Sequence, residues 1–194
     1  MLTPVAPHLC EELWEIMGGE DFVSLASWPT LNESRLNVEV EESEALVKDL
    51  LEDTLNIIKA TGMTPKKIHY YTACPWKWKV YLKMLEKASH GEVKMTEVMK
   101  ELVAENELKK NMREIANFAQ KTLKEVNRVP QDRREKVLKI KTLNEKTAIE
   151  DADGLLKQRL KAQIFVYSEE DSRRYDPKNK ASLSTPFKPA IYIE

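Results

Sequence analysis

The chain has 194 residues, of which 42% are hydrophobic, 32% charged and 7% aromatic, and its formal net charge is −1. This length fits one domain of ordinary size, or one domain with part of another. No apolar run reaches the roughly 18 residues that a membrane span needs, and no apolar stretch follows a basic start as in a signal peptide. Two cysteines and three scattered histidines exclude a disulfide framework and a zinc site. We therefore expect a cytoplasmic protein with no membrane partner.

Charge is unevenly distributed along the chain. Residues 1–45 hold one basic residue, Arg35, against ten acidic ones. Residues 46–194 hold 30 basic and 22 acidic residues, an excess of eight positive charges. Such asymmetry between two parts of a chain indicates a basic surface for a partner, most often a polyanion.

The first 36 residues are predicted to be the end of a helix bundle. A helix is expected over residues 7–17, because Pro7 suits a first turn and Gly18 follows the last one. Leu9, Leu13 and Met17 form one apolar stripe on it. An extended segment, residues 22–29, is expected to pack across this helix.

The remainder, residues 37–194, is predicted to be a small α+β domain that is mostly helical. The pattern favours a short strand at 36–40, a helix capped by Ser43 and ending at Gly62, a strand at 67–73 and a helix from Pro75 to residue 89. Further helices are expected at 96–103, 107–128, 130–141 and 144–161, with strands at 163–167 and 190–193 around a polar loop. A sheet of two to four strands results.

No catalytic motif is present in the sequence. Phosphate-binding loops of the G-x-x-x-x-G-K-[ST] and G-x-G-x-x-G types are missing, and so is a G-x-S-x-G nucleophile elbow. Cys74 and His69 are close in sequence only, and we predict that Cys74 is a core cysteine. We therefore expect no catalytic residue, metal or cofactor in this segment.

The helix at 107–128 is the strongest candidate for binding. Its apolar residues cluster on one side, at Leu108, Met112, Ile115, Ala119, Thr122, Leu123 and Val126. Basic and amide residues occupy the other side: Lys110, Arg113, Asn117, Lys121, Lys124 and Arg128. Arg133 and Arg134 extend this series beyond Pro130. A solvated face and a phosphate-binding face are both open, but acidic residues normally intersperse a solvated face and are scarce here.

Two further segments are candidates. In residues 75–83, Lys77 and Lys79 alternate with aromatic residues, which suits phosphate contact combined with stacking, while Trp78 is expected in the core. The C-terminal residues, Lys188, Ile191, Tyr192, Ile193 and Glu194, are unusually apolar for a terminus and follow two prolines. They form either an additional strand or a finger that reads a partner.

The start of the chain carries a family resemblance. Leu2-Thr3-Pro4-Val5-Ala6-Pro7-His8-Leu9-Cys10-Glu11-Glu12-Leu13-Trp14 resembles the last helix of the anticodon-binding bundle in class I aminoacyl-tRNA synthetases for leucine, isoleucine and valine. The pattern there is Pro-x-x-Pro-[His/Phe]-x-x-Glu-Glu-Leu-Trp. The rest, including Ala73-Cys74-Pro75-Trp76-Lys77 and the apolar terminus, is similar to the C-terminal domain of leucyl-tRNA synthetases of the archaeal or eukaryotic type.

The resemblance implies a tRNA-binding part of a leucine–tRNA ligase, the enzyme that attaches leucine to its tRNA with ATP. The His-x-Gly-His and Lys-Met-Ser-Lys-Ser signatures are absent here, so ATP, Mg and catalysis belong to the rest of such an enzyme. The implied partners are leucine tRNA with its long variable arm and the catalytic and editing domains of the same enzyme. The basic residues above would grip phosphates, and residues 188–194 would touch unpaired bases.

Two alternatives stay open from the sequence. The chain could be the equivalent region of an isoleucyl- or valyl-tRNA synthetase. It could also be a non-enzymatic basic helical module that docks an acidic protein and binds no RNA.

Overall fold

A computed structural model of the chain describes residues 2–28, 30, 32, 36–91, 93–104 and 112–194. Contacts divide the chain into two compact units, residues 1–36 and 37–194. The described residues form eight α-helices and one three-stranded sheet, which confirms the predicted α+β, mostly helical class. None of the described helices is both long enough and apolar enough to span a membrane.

The first unit contains helix α1, Pro7–Ile16, followed by a 3-10 turn at Val23–Leu25. Proline stands in the first turn of α1, and Gly18 (φ 80°) follows its end. The Glu11 carboxylate accepts hydrogen bonds from Val23 N (2.7 Å) and Ser24 N (3.3 Å). The segment turns at Val23–Leu25, so the prediction of an extended segment was wrong for these three residues.

Helix α2, Val38–Thr61, opens the second unit and starts earlier than predicted. Asn37 Oδ1 accepts hydrogen bonds from Glu39 N (3.0 Å) and Val40 N (3.4 Å), so Asn37 is the N-cap. The expected strand at 36–40 and the expected cap at Ser43 were therefore wrong. A capped helix with acidic residues in its first turn outweighs the local strand preference of the valines. Gly62 (φ 67°) ends the helix.

The sheet has β1 (Lys67–Thr72) at its centre, with β2 (Gln163–Ser168) on one side and β3 (Ala190–Ile193) on the other. Strands β1 and β2 are parallel, and Lys67 pairs with Gln163. Strands β1 and β3 are antiparallel, and Ile68 pairs with Ile193. Alternate residues of all three strands therefore share a face.

Between β1 and β2, the described residues form six helices. They are α3 (Pro75–His90), α4 (Met95–Ala104), α5 (Met112–Arg128), α6 (Gln131–Ile140), α7 (Glu145–Asp151) and α8 (Asp153–Leu160). The single helix expected at 144–161 is two helices that meet at Ala152. The first part of the helix expected at 107–128 lies outside the described residues.

Two apolar clusters form the core of the second unit. The first lies among α3, α4, α5 and α6, and includes Met84, Leu102 and Ile115. The second joins α2, α7 and α8 to one face of the sheet, and includes Leu50, Tyr70 and Leu156. Trp78 is 4% exposed in the second cluster and Cys74 is fully buried, as predicted.

Candidate nucleic-acid interface

One side of α5 is basic and exposed. Its other side, with Ile115, Phe118 and Val126, is buried in the first core cluster. Four of the side chains that this packing leaves at the surface are basic, and we term them the α5 basic stripe: Arg113, Lys121, Lys124 and Arg128. Glu114 and Glu125 are exposed on the same helix. At a rise of 1.5 Å per residue the stripe is about 22 Å long. Lys110, predicted as a fifth member, lies outside the described residues.

The α5 basic stripe differs from α6 in its charge environment. Within the described part of the chain, none of its four members has an ion pair within 4 Å. On α6, Arg133 lies 3.8 Å from Glu42 and Lys136 lies 3.9 Å from Glu41. Glu41 and Glu42, near the start of α2, thus partly neutralise the positive charge of α6. The α5 basic stripe keeps its positive charge.

Arg134 has a structural role in addition to its place near this surface. Its guanidinium donates to the carbonyl oxygens of Ala88, in α3, and Asn127, in α5. It therefore joins the C-terminal ends of two helices, where carbonyl groups have no partner within the helix. These bonds use two of the five guanidinium donors, and the phosphate contact of Arg134 stays a prediction. Its neighbour Arg133 is exposed and stays a candidate.

Lys77 is also a structural residue. It is 3% exposed, and its Nζ lies 2.8 Å from Glu169 Oε2. The same Nζ donates to the carbonyl oxygens of Ser182 (2.9 Å) and Ser184 (2.8 Å). An ammonium group has three donors, and all three are used here. The predicted phosphate contact of Lys77 is therefore wrong, whereas Lys79 is exposed on α3 and stays a candidate.

A buried carboxylate, that of Glu145, lies at the end of the sheet where β1 ends and β3 begins. Glu145, which is 2% exposed, accepts hydrogen bonds from Ala73 N (3.0 Å) and Phe187 N (2.7 Å). Burial raises the pKa of Glu145 to about 7, against the opposing effect of these two hydrogen bonds. Glu145 thus joins two points at one end of the sheet, just after β1 and just before β3.

The C-terminal residues form a strand, the first of the two interpretations left open by the sequence. Ile191 and Ile193 pack against the second core cluster, and Tyr192 faces the other way. The backbone of Glu194 pairs with Lys66 and Lys67 at 2.6–3.1 Å. A free finger is therefore excluded for these residues. Lys188 is exposed in the turn that precedes the strand, where it pairs with Thr185.

The sheet face opposite the core carries aromatic rings that the sequence analysis missed. His69 lies 5.0 Å from Phe165, 5.8 Å from Tyr192 and 6.1 Å from Tyr167, measured between ring centroids. Tyr175 lies over His69 at 5.1 Å. We term this set, with Tyr71, the aromatic face. The signal was present in the sequence, because aliphatic and aromatic residues alternate in Ile164-Phe165-Val166-Tyr167 and Ile191-Tyr192-Ile193.

The sequence of the chain is similar to those of known tRNA ligases. Residues 1–70 match the family model of the anticodon-binding domain of tRNA ligase. Over its whole length the chain is 37% identical to the leucine–tRNA ligase of Methanosarcina barkeri and 34% identical to those of Pyrococcus abyssi and Methanocaldococcus jannaschii. It spans 20% of the first of these proteins and 18% of the other two. The chain thus spans about a fifth of the length of the curated relatives it matches.

The aligned part is the C-terminal region of these relatives, and the matched model describes a binding domain and not a catalytic one. That match extends beyond the first unit, through α2 and into β1. The resemblance drawn from residues 2–14 is confirmed, and full-length similarity to leucine enzymes favours them over the isoleucyl and valyl alternatives. The chain is therefore similar over its whole length to the C-terminal region of leucine–tRNA ligases, and its first 70 residues are similar to the anticodon-binding domain of tRNA ligase.

Proposed function

We propose that this chain holds tRNA for a leucine–tRNA ligase of the cytoplasm and carries no active site of its own. The observation that carries the proposal is the α5 basic stripe, in a chain similar over its whole length to such ligases. Four exposed cations without described acidic partners suit an RNA phosphate backbone. ATP and Mg would serve the catalytic domain of the complete enzyme.

The first unit is proposed to be the end of the anticodon-binding helix bundle. None of the residues of α1 is buried, and Leu9, Leu13 and Ile16 are 47–74% exposed. Phe22, Leu25 and Trp28 are exposed as well. An apolar surface of this kind marks an interaction site. Its proposed partners are other helices of the bundle and, beyond them, the catalytic and editing domains.

Within the second unit, phosphate contacts would position the tRNA and contacts to unpaired bases would give specificity. The candidates for phosphate are the α5 basic stripe and, in addition, Lys110, Arg133 and Lys79. The candidates for bases are Lys188 in its turn and the exposed edges of Ile191, Tyr192, Ile193 and Glu194. The long variable arm of leucine tRNA is the proposed target of this second group, presented by a rigid strand.

A titration tests the proposal. The chain is mixed with leucine tRNA and with a tRNA that has a short variable arm, and binding is measured by filter retention over a series of salt concentrations. If about four phosphates are neutralised, log K should fall against log[salt] with a slope of roughly −3 to −4. Leucine tRNA should bind more tightly than the short-arm tRNA.

Three other outcomes have distinct meanings. A slope near zero removes the α5 basic stripe as a phosphate site. Equal affinity for both tRNAs removes the variable arm as a target. No binding of either tRNA contradicts the proposed function and leaves the protein-docking module as the alternative.

A further inference from the structure

We propose that a groove between α2 and the helices α7 and α8 is a docking site for a basic amphipathic helix of another protein. The groove has a volume of about 680 Å³, and its described lining residues all belong to the second unit. It is formed by other helices than the α5 basic stripe and has the opposite charge. The inference therefore goes beyond RNA binding and does not depend on it.

The floor of the groove is apolar and continues into exposed apolar side chains. Val47 and Leu143 are 8% and 5% exposed, and both line the groove. Ala148 is partly buried there, and its short side chain leaves room for an incoming helix. Val40 and Leu155 also line the groove and are 51% and 48% exposed. A continuous apolar surface of this kind marks an interaction site.

The shape of the groove suits a helix. Its α2 side is formed by residues at a spacing of three or four, which share one face of that helix: Val40, Ser43, Val47 and Leu51. At a rise of 1.5 Å per residue, this row is about 17 Å long, or about three helical turns. Backbone groups within α2 and α7 are paired inside those helices, so the groove offers side chains and no strand edge. An occupant is therefore held by its own side chains at helical spacing.

The rim of the groove is acidic, which selects a basic occupant. Glu39, Glu44 and Asp151 line it and are exposed, and Lys48 is the one basic residue among its described lining residues. Helix α2 as a whole has seven acidic and two basic residues. Such a surface repels RNA phosphate and attracts lysine and arginine side chains. Charge and shape together thus favour an amphipathic helix with basic residues beside its apolar stripe.

The same charges argue against a second copy of the chain as the occupant. In a twofold dimer through this groove, the acidic rim would face itself. Helix α5 is basic, but its apolar residues Ile115 and Val126 are buried in the first core cluster. Helix α1 has exposed apolar residues, but its three charged residues are acidic. Neither helix has the combination of exposed apolar and basic residues that the groove would bind.

Fluorescence anisotropy with a synthetic peptide tests the inference on the full chain. The probe is a labelled peptide of about 18 residues, with leucines at every third or fourth position and lysines on both sides of that stripe. One comparison peptide has glutamates in place of the lysines, and another has serines in place of the leucines. The probe should bind at least about 10-fold more tightly than either of them, since both the apolar floor and the acidic rim contribute.

A matched pair of variants tests the apolar part of the groove. Leu155→Lys places a charge beside the floor and should weaken binding of the probe by about 10-fold or more. Leu55→Lys is the control, because Leu55 is 45% exposed on α2 but does not line the groove. It should leave the affinity unchanged.

A second pair tests the rim. Glu44→Lys combined with Asp151→Lys should weaken binding about 5- to 30-fold. Asp49→Lys combined with Glu150→Lys has the same net charge and lies on the same two helices, outside the groove. A much smaller effect is expected for this control, and an equal effect would show that net charge alone attracts the probe and would overturn the inference.

Further measurements separate the remaining outcomes. Melting curves show whether each variant is folded, and sedimentation shows whether the chain associates with itself. Equal binding of the basic and acidic peptides, or unchanged binding in both groove variants, overturns the inference. Self-association that Leu155→Lys abolishes would identify a second copy as the occupant and would also overturn it. A complete ligase that contains this chain should bind the probe as the chain does; loss of binding there would show that its own domains cover the groove and would contradict a separate partner.

Discussion

The Lys77 ammonium and the Glu169 carboxylate lie 2.8 Å apart, and they join the first turn of α3 to the segment that follows β2. The Ser184 hydroxyl also lies 3.3 Å from Glu169, while the carbonyl oxygens of Ser182 and Ser184 accept from Lys77. One lysine therefore holds three points of the segment that leads to β3. These contacts explain why residues 169–184, which are charged and largely exposed, have a defined conformation.

Lys77→Met should destabilise the protein by about 2–4 kcal/mol. Removal of one partner of a buried ion pair leaves the other charge and the carbonyl groups without compensation. Glu169 is partly exposed, with 17% of its side chain accessible, which keeps the expected loss below the upper limit for such pairs. Urea unfolding measures the loss. Lys121→Met, on the exposed side of α5, is the control and should change stability by less than about 0.5 kcal/mol.

The sequence predicted those parts of the fold that depend on local signals. The helices beginning at Pro7 and Pro75 and the helix end at Gly62 follow from backbone preferences of single residues. The cap at Asn37 was missed because Val38 and Val40 favour a strand. The role of Lys77 could not be predicted from the sequence, because its partners lie 92 to 107 residues further along the chain. Spacing on one helix carries no information about such partners.

Arg134→Met and Arg133→Met form a matched pair of variants. Arg134 donates to two helix-end carbonyl groups, so its loss should destabilise the protein by about 1–3 kcal/mol. Arg133 has a long, exposed ion pair, so its loss should have an effect within about 0.5 kcal/mol. Thermal or urea unfolding compares the two. Equal effects would contradict the structural assignment of Arg134.

Charge reversal in the α5 basic stripe should weaken binding of every tRNA alike. Lys121→Glu combined with Lys124→Glu should reduce affinity by about 10- to 100-fold and make the salt slope shallower by about 2. Stability should hardly change, since both side chains are exposed. Lys146→Glu with Lys157→Glu, on α7 and α8, has the same net charge and is the control. A similar loss in the control would show that net charge alone drives binding.

The buried Glu145 should make stability depend on pH. Its pKa in the folded protein is about 7, above its ordinary value of 4.5, so the folded state favours the neutral form. The stabilisation is fully present below the unfolded value and is lost as the pH rises through about 7. Relative to Glu145→Gln, which cannot ionise, the wild type should lose about 3 kcal/mol between pH 4 and pH 8. Glu150→Gln, an exposed change on the same helix, retains Glu145 and should lose stability over this pH range as the wild type does.

Deletion of residues 190–194 should destabilise the whole second unit. The deletion removes β3 and the contacts of Ile191 and Ile193 with the second core cluster. A fall in melting temperature of about 5–15 °C is expected, together with weaker binding of all tRNAs. Intact stability with loss of discrimination between long-arm and short-arm tRNAs would contradict the structural role of the strand.

The sequence predicted the α5 basic stripe but not the assembly of the aromatic face, and the reason is physical. The α5 basic stripe lies on one helix, so its period of 3.6 residues is visible in the sequence. The aromatic face is assembled from β1, β2 and β3, and only their pairing brings Phe165, His69 and Tyr192 into one row. Alternation within each strand was visible, but the order of the strands in the sheet was not.

The central position of β1 has a consequence for biosynthesis. Its two neighbours are β2 and β3, which emerge from the ribosome long after it does. The helices from α3 to α6 contact one another at short sequence separation, so the first core cluster can collapse early. One long edge of β1, however, stays unpaired until residue 168 has been made, and the other until residue 193 has been made. An exposed, largely apolar strand of this kind invites aggregation, so the nascent protein should depend on chaperones most between the synthesis of β1 and that of β3.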